Sequence, residues 1–347
     1  MQFWRKILYP FSLIYGEITT LRNRLYNRKI LKSTGFDIPI ITVGNLSVGG
    51  TGKTPQIEYL IRLLSDKCKV AVLSRGYKRS SSGFIIADKN SSAKTVGDEP
   101  LQYFKKFQNI IVAVDADRVN GITNLLALAS KPDVILLDDA FQHRKVKSGL
   151  NILLTQYGQL YSDDTVLPTG NLREKKSGAD RAEVVVVTKC PDELSEMQQF
   201  TIAQQLQIKN YQTLFFSKIV YVDKIIGKKD TIEVNKLKKY NVLLVTGIAK
   251  TNPLTDYLTK IDVDFKHLKF ADHYVFKEKD FKAVETAYKR LKGDKKIILT
   301  TEKDYVRSFE ESNLPIFYLP IKTEFIDHQS DFDKIILNYV EQSTRNR

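Results

Sequence analysis

Residues 38–55 read Ile38-Pro-Ile-Ile-Thr-Val-Gly-Asn-Leu-Ser-Val-Gly-Gly-Thr-Gly-Lys-Thr-Pro55, and this stretch decides the fold. An apolar, β-branched run from Ile38 to Val43 gives way to a glycine-dense turn and then to a helix start, which predicts strand, phosphate loop, helix. Gly49, Gly50 and Gly52 carry no Cβ, so the backbone can curl with its N–H groups inward, close to phosphate oxygens. The first turn of the helix adds unpaired N–H groups and the positive end of its dipole. Residues 47–54 (Ser47, Val48, Gly49, Gly50, Thr51, Gly52, Lys53 and Thr54) are therefore the expected nucleotide cradle. Lys53 is placed to reach the β- and γ-phosphates, and the Thr54 hydroxyl to hold Mg²⁺. The generic motif G-x-x-x-x-G-K-[ST] begins with glycine, whereas this chain has Ser47 there.

The second signal is Val134-Ile-Leu-Leu-Asp138-Asp139, an apolar run closing in acids. It predicts a buried parallel strand with a carboxylate at its tip, the usual counterpart of a phosphate loop and a holder of Mg²⁺. Further strands are expected at 69–73, 110–114, 151–155 and 184–188, with a helix over 55–65 lining Ile57, Leu60, Ile61 and Leu64 on one face. The fold class is thus α/β: a P-loop NTPase-type, mostly parallel sheet flanked by helices, with a second, smaller α/β domain and an N-terminal amphipathic helix. Thr188-Lys189-Cys-Pro-Asp192 falls short of the guanine-reading N-K-x-D pattern in type and spacing, so base identity stays open.

The 347 residues exceed one ordinary domain, and a rise in lysine density before Val242 sets the expected boundary near 222. The division expected is 1–30, 31–222 and 223–347. The second half repeats the α/β rhythm at 242–247, 253–260, 297–300 and 316–319 without a phosphate loop of its own. Lys and Arg outnumber Asp and Glu by 54 to 40, a net charge of +14 that calls for an acidic partner. No RNA-binding signature or zinc-finger spacing occurs, so nucleic acid is not the expected one. Two cysteines, Cys68 and Cys190, make no disulfide framework, which fits a reducing cytoplasm. Four histidines without metal-binding spacing argue against zinc.

In residues 1–30, Phe3, Trp4, Ile7, Leu8, Phe11, Ile14, Tyr15, Ile18 and Leu21 recur at roughly helical spacing among Arg and Lys, interrupted at Pro10. Aromatics beside cations suit the headgroup boundary and predict an interfacial helix; a helix packed on the protein's own core is the alternative. No run of about eighteen apolar residues exists to span a bilayer. Asp98-Glu99 before Pro100 suits a helix cap, and His273 follows an acid in Phe270-Ala-Asp-His-Tyr274, where a surface loop is the ordinary reading.

Taken together, 43–55, Ser74-Arg-Gly-Tyr77, Gly97-Asp-Glu-Pro100, Asp138-Asp-Ala-Phe-Gln-His-Arg144, Leu172-Arg-Glu174, 270–274 and Thr301-Glu-Lys-Asp304 resemble the tetraacyldisaccharide 4′-kinases of lipid A biosynthesis over most of the chain. Ser47 matches that family's version of the loop; Lys175-Lys176 departs from it, since the family often has Pro there. The resemblance implies transfer of the ATP γ-phosphate to the 4′-hydroxyl of an anionic, acylated glucosamine disaccharide 1-phosphate at the cytoplasmic face of the bacterial inner membrane, with residues 1–30 at the membrane surface and no obligate protein partner. It implies that Asp98 takes the proton from the sugar hydroxyl with His273 in support. The remaining expected roles are metal-side carboxylate for Asp138, shaping of the metal and acceptor environment for Asp139 and Glu174, and stabilisation of phosphate charge for Arg118 and Arg173. The rival reading is a membrane-associated, deviant P-loop ATPase acting as a nucleotide switch, disfavoured because the leading lysine of its loop is missing. A third reading makes the C-terminal half only a docking platform.

Overall fold

The structure, a computed structural model, describes residues 3–310 and 312–345, for Phe3 and Trp4 without their side chains. Met1 and Gln2, and the side chains of Phe3 and Trp4, which belong to the expected interfacial segment, lie outside the described residues.

The phosphate-loop strand, Ile40–Asn45, is the fifth of a nine-stranded sheet ordered 321–325, 213–221, 184–188, 150–156, 40–45, 134–138, 70–74, 111–114, 85–86. Only the two outermost strands run antiparallel to their neighbours. Every residue of Ile40–Asn45, Val70–Ser74, Val134–Asp138 and Val184–Thr188 is buried, because helices cover both faces and leave no solvent side for polar residues to alternate toward. On one face Ile57, Leu60 and Leu101 pack with Phe332 and Ile336 of the last helix, Gln329–Arg345; on the other, Ile122 and Leu125 of Arg118–Leu126 fill the space over Ile40 and Leu73. The parallel strands aim their carboxyl ends, with Asn45, Ser74, Asp138 and Thr188, at one rim, where open α/β sheets bind ligands.

A second, six-stranded sheet is ordered 231–233, 224–227, 316–319, 296–301, 241–246, 265–269. The chain leaves the first sheet after Tyr221, close to the expected boundary, but it comes back. Ile321–Phe325 pairs antiparallel with Ser217–Tyr221, and Val222 donates to the carbonyl of Pro320, so two strands lie side by side at the crossing. The expected 223–347 unit therefore stops at about Pro320 in the sheet pairing, and the last helix belongs to the first core. Five residues of Ile-Lys-Thr-Glu-Phe alternate as any edge strand does, and nothing local says which sheet they join.

Tyr9–Asn27 forms one helix, entered through Pro10 near its first turn, where proline needs no N–H partner. It lies on the nine-stranded unit with its apolar side outward: Phe11, Leu13, Ile14, Ile18 and Leu21 are each 54–62% exposed. Its inward side is small and polar. Ser12 donates to Thr169, Tyr15 to the carbonyl of Arg173 and Asn23 to Glu174, and Gly16 lies under Lys175 and Val166. The helix thus docks on its own protein through its small, polar side and keeps its apolar face outward, so it is not packed on the core by that face. No helix of the described residues is long and apolar enough to cross a membrane.

Phe332 is fully buried among Tyr59, Phe215 and Phe325. Phe332→Ala is expected to lower unfolding stability by about 3–5 kcal/mol in denaturant titration, and a loss under about 1 kcal/mol would place the last helix outside the first core.

Candidate active site

The loop takes its shape from two glycines and one pairing. Gly49 (φ 114°) and Gly52 (φ 86°) hold the left-handed turns, with Gly52 preceding helix Lys53–Leu64. Position 47 needs no such freedom. Ser47 bridges antiparallel to Leu172, Val48 donates to the carbonyl of Asn171 at 2.8 Å, and Arg173 donates to that of Leu46 at 2.7 Å. Serine is therefore compatible where the generic loop has glycine, and the same pairing carries Arg173 to the loop.

From the opposite side, Thr188 Oγ1 donates to the carbonyl of Thr51 at 2.8 Å and Lys189 Nζ to that of Gly50. Burial, together with Lys250, Lys303 and Lys53, pulls the Lys189 ammonium down to about 8. Among the described residues, Thr51 Oγ1 is buried without a hydrogen-bond partner, and nothing beyond the adjoining residues lies within 4 Å of where a Gly49 Cβ would stand. Both are what a loop shaped for an oxyanion leaves open.

Lys53 Nζ sits 3.2 Å from Asn45 Oδ1 and 3.4 Å from Asp139 Oδ1. Arg173 grips Asp139 through both oxygens at 3.0 and 3.3 Å, and Asp139 itself is left-handed at φ 49°. Asp138 is buried at its strand's tip with Ser74 Oγ 3.3 Å away. Its carboxyl is pushed up to about 6, by burial first and then by Asp139 and Glu99, against the pull of Lys53 and Arg118. A divalent cation beside Asp138 would relieve that crowding of negative charge, so the residues fit Mg²⁺, with the Thr54 hydroxyl as the other expected protein donor.

Two expected site residues face inward. Arg118 is 2% exposed and donates to the carbonyls of Asp115 (2.9 Å), Ala116 (3.3 Å) and Asp138 (3.4 Å), and burial pulls its guanidinium down to about 10. In this arrangement it ties two strand tips together through Nη1 and Nη2. Glu174, also 2% exposed, is held by Arg181 through both oxygens at 2.7 and 2.9 Å and by Gln142 and Asn23. Burial would raise its pKa, yet Arg181 and these amides hold it below the usual carboxylate range. It anchors the N-terminal helix beneath the loop.

Asp98 and His273, 175 positions apart, meet: Nδ1 stands 3.2 Å from Oδ2. Gly97 (φ 96°) precedes the helix Asp98–Lys106 and packs against Gly76, where a Cβ on residue 97 would lie 3.2 Å from the Gly76 Cα. That contact draws Ser74-Arg-Gly-Tyr77 over the acids, with Tyr77 edge-on to the His273 ring at 6.3 Å. His273 is left-handed (φ 54°) and its N–H donates to the carbonyl of Gly247. Strain of this sort is retained where surroundings over-determine it.

Beside the pair, Lys303 reaches Glu99 at 2.7 Å and Lys106 reaches Glu302 at 2.8 Å, both across the gap between the two sheets. Nothing local in Thr301-Glu-Lys-Asp304 assigns Glu302 or Lys303 a task, and Lys189 stands in a stretch that only falls short of the base-reading pattern. Asn45 carried no separate signal.

The chain matches the family described as tetraacyldisaccharide-1-P 4′-kinase over residues 4–341. It is 53% identical to the tetraacyldisaccharide 4′-kinase of Flavobacterium johnsoniae over 99% of both chains, and 52% identical to that of Flavobacterium psychrophilum over the full length of both. The Bacteroides thetaiotaomicron kinase of the same name is 44% identical over 98% of this chain and 94% of its own. Among solved structures, LpxK of Aquifex aeolicus in complex with ATP superimposes with a TM-score of 0.77 at 31% identity, covering 97% of this chain and 99% of that one. By sequence over nearly its whole length and by fold, the chain belongs to the tetraacyldisaccharide-1-P 4′-kinase family.

Proposed function

We propose that the chain transfers the γ-phosphate of ATP to the 4′-hydroxyl of a tetraacylated glucosamine disaccharide 1-phosphate, at the cytoplasmic face of the bacterial inner membrane, in lipid A biosynthesis. The observation that carries this reading is the Asp98–His273 contact, made by two separate sheets beside a phosphate loop. A switch ATPase has no need of a base assembled that way, and the family match points away from one.

The donor phosphates rest on the N–H groups of residues 49–54, with Lys53 taking charge from the β- and γ-phosphates. Asp139 aligns both Lys53 and Arg173, so that the two cations act from fixed positions. Mg²⁺, when bound by Thr54 and Asp138, neutralises charge on the phosphate oxygens. Asp98 accepts the proton as the 4′-oxygen forms its bond to phosphorus and the bond to the departing ADP oxygen breaks. His273, from the second sheet, orients that carboxylate and offers a route for the proton onward. Arg118 and Glu174 act one step away, Arg118 by holding the tips of two strands and Glu174 by seating the N-terminal helix.

The outward apolar face of Tyr9–Asn27 brings the enzyme to its lipid acceptor. Fully burying a side chain such as Ile or Phe is worth about 1.5–3 kcal/mol. Partial immersion of five of them, with Arg and Lys near the headgroups, gives reversible attachment.

Purified protein with labelled ATP should transfer label to the lipid disaccharide; ATP hydrolysis without lipid labelling would sink the assignment. Asp98→Asn is expected to lower kcat by about 10²–10⁴-fold with the KM for ATP unchanged, and an unchanged kcat would remove Asp98 from the chemistry. Ile14→Ser with Ile18→Ser should reduce sedimentation with anionic phospholipid vesicles by about tenfold or more at an unaltered melting temperature. Full sedimentation of that variant would move membrane attachment elsewhere on the protein.

A further inference from the structure

The second sheet brings a further charged group to the Asp98 carboxylate. Arg307 lies in the helical turns that follow strand Lys296–Thr301, and its side chain is 5% exposed. Its Nη2 pairs with Asp304, which is fully buried. Asp304 Oδ2 in turn accepts from the Gly247 N–H at 2.9 Å and from Thr301 Oγ1 at 2.8 Å. The other arm of the guanidinium turns toward the cleft, with Nη1 3.5 Å from Asp98 Oδ2. That is an ion-pair contact just short of a hydrogen bond, and Nη1 and Nε are buried with no hydrogen-bond partner among the described residues.

Gly247 links this arm to the histidine. Its N–H holds Asp304, and thereby Arg307, while its carbonyl holds the backbone of His273. A Cβ at residue 247 would lie 3.1 Å from Asp304 Oδ1 and 3.3 Å from the Tyr274 Cβ, so glycine lets the two arms converge. Both then meet the same oxygen, Oδ2 of Asp98, which arrives from the first sheet. Among the described residues, no hydrogen bond or ion pair engages Oδ1.

Resting on the kinase reading above, we infer that Arg307, anchored by Asp304, is a positioning residue that with His273 clamps Asp98 by Oδ2 and turns Oδ1 toward the acceptor hydroxyl. An approach of the two sheets by a few tenths of an ångström converts the Nη1 contact to a hydrogen bond, so the clamp tightens as the cleft closes. If Arg307 served Asp304 alone, Nη2 would suffice. A buried cation carrying further donors without partners is costly, and the carboxylate it faces supplies the reason for it.

The test uses the full-length enzyme with labelled ATP and the lipid disaccharide, wild type run alongside. Arg307→Met is expected to lower kcat by about tenfold or more with the KM for ATP within about twofold, and Arg307→Lys, which keeps the charge but cannot span Asp98 and Asp304 together, to recover only part of the rate. In an Asp98→Asn background Arg307→Met should cause little further loss, because a group acting through Asp98 has nothing left to position. Since Arg307→Met strands Asp304, the double variant Asp304→Asn with Arg307→Met is measured too. It removes both charges and should melt near the parent temperature with the same loss of kcat. Wild-type kcat in either folded variant, a loss confined to the KM for ATP, or a full additional loss on Asp98→Asn would each overturn the inference. None of these results touches the kinase reading, which fails only if wild type labels no lipid.

Discussion

Charge compensation across a gap organises this molecule. Four carboxylates, Asp98, Glu99, Asp138 and Asp139, stand at the carboxyl rim of the large sheet, and three of them are met by cations carried on other segments. Lys53 and Arg173 meet Asp139, Lys303 meets Glu99, and Arg307 meets Asp98. Asp138, the most deeply buried, is the one left most dependent on neighbours, and its raised pKa records that. Removing any of these cations leaves a carboxylate in surroundings that solvate it poorly, which is why the arrangement holds as a unit. Two of the cations belong to the second sheet, so the same electrostatics that poise the site also draw the two sheets together.

The hinge makes this possible. Two strands cross between the units side by side, at 221–224 and 319–321, and Val222 bonds to Pro320. A double crossing limits twisting between the sheets while allowing them to open and close, the motion a bulky acyl disaccharide and a water-sensitive phosphoryl transfer both require. The N-terminal helix adds a second kind of positioning. It is amphipathic in the usual sense but mounted the reverse of a core helix, with Ser12, Gly16 and Asn23 against protein and isoleucines outward. Glu174 joins the two systems, since it carries Asn23 of that helix on one side and adjoins Arg173 of the loop pairing on the other.

Much of the first sheet was legible because its signals are local. A β-branched run followed by glycines and Lys-Thr has few conformational solutions, and Val134–Asp138 is too apolar to lie anywhere but inside. The strands expected at 110–114, 184–188 and 316–319 fall within a residue of those observed. The return of the chain to the first sheet was not legible, for Ile321–Phe325 carries no address and its partner lies a hundred residues back. Arg118 and Glu174 were assigned to the site by type and motif. Their depth, and so their bracing geometry, depends on Asp115, Arg181 and Gln142, which sit on other segments.

By itself the sequence determined what chemistry the loop at 47–54 can do, since an anion cradle needs only contiguous backbone, two left-handed glycines and a lysine at the helix start. It also determined that an acid closes strand 134–138. Only the tertiary structure decided which carboxylate and histidine meet in the cleft. Asp98 and His273 have no covalent nearness, and an Asp-Glu pair before a proline or a histidine after an aspartate is an ordinary surface feature until packing brings it within hydrogen-bond range. That packing is the convergence of two sheets on one carboxylate oxygen, through the Gly76–Gly97 contact on one side and Gly247 on the other. Contacts of this kind arise from the closing of long loops, whose geometry depends on the whole chain and on no single stretch of it.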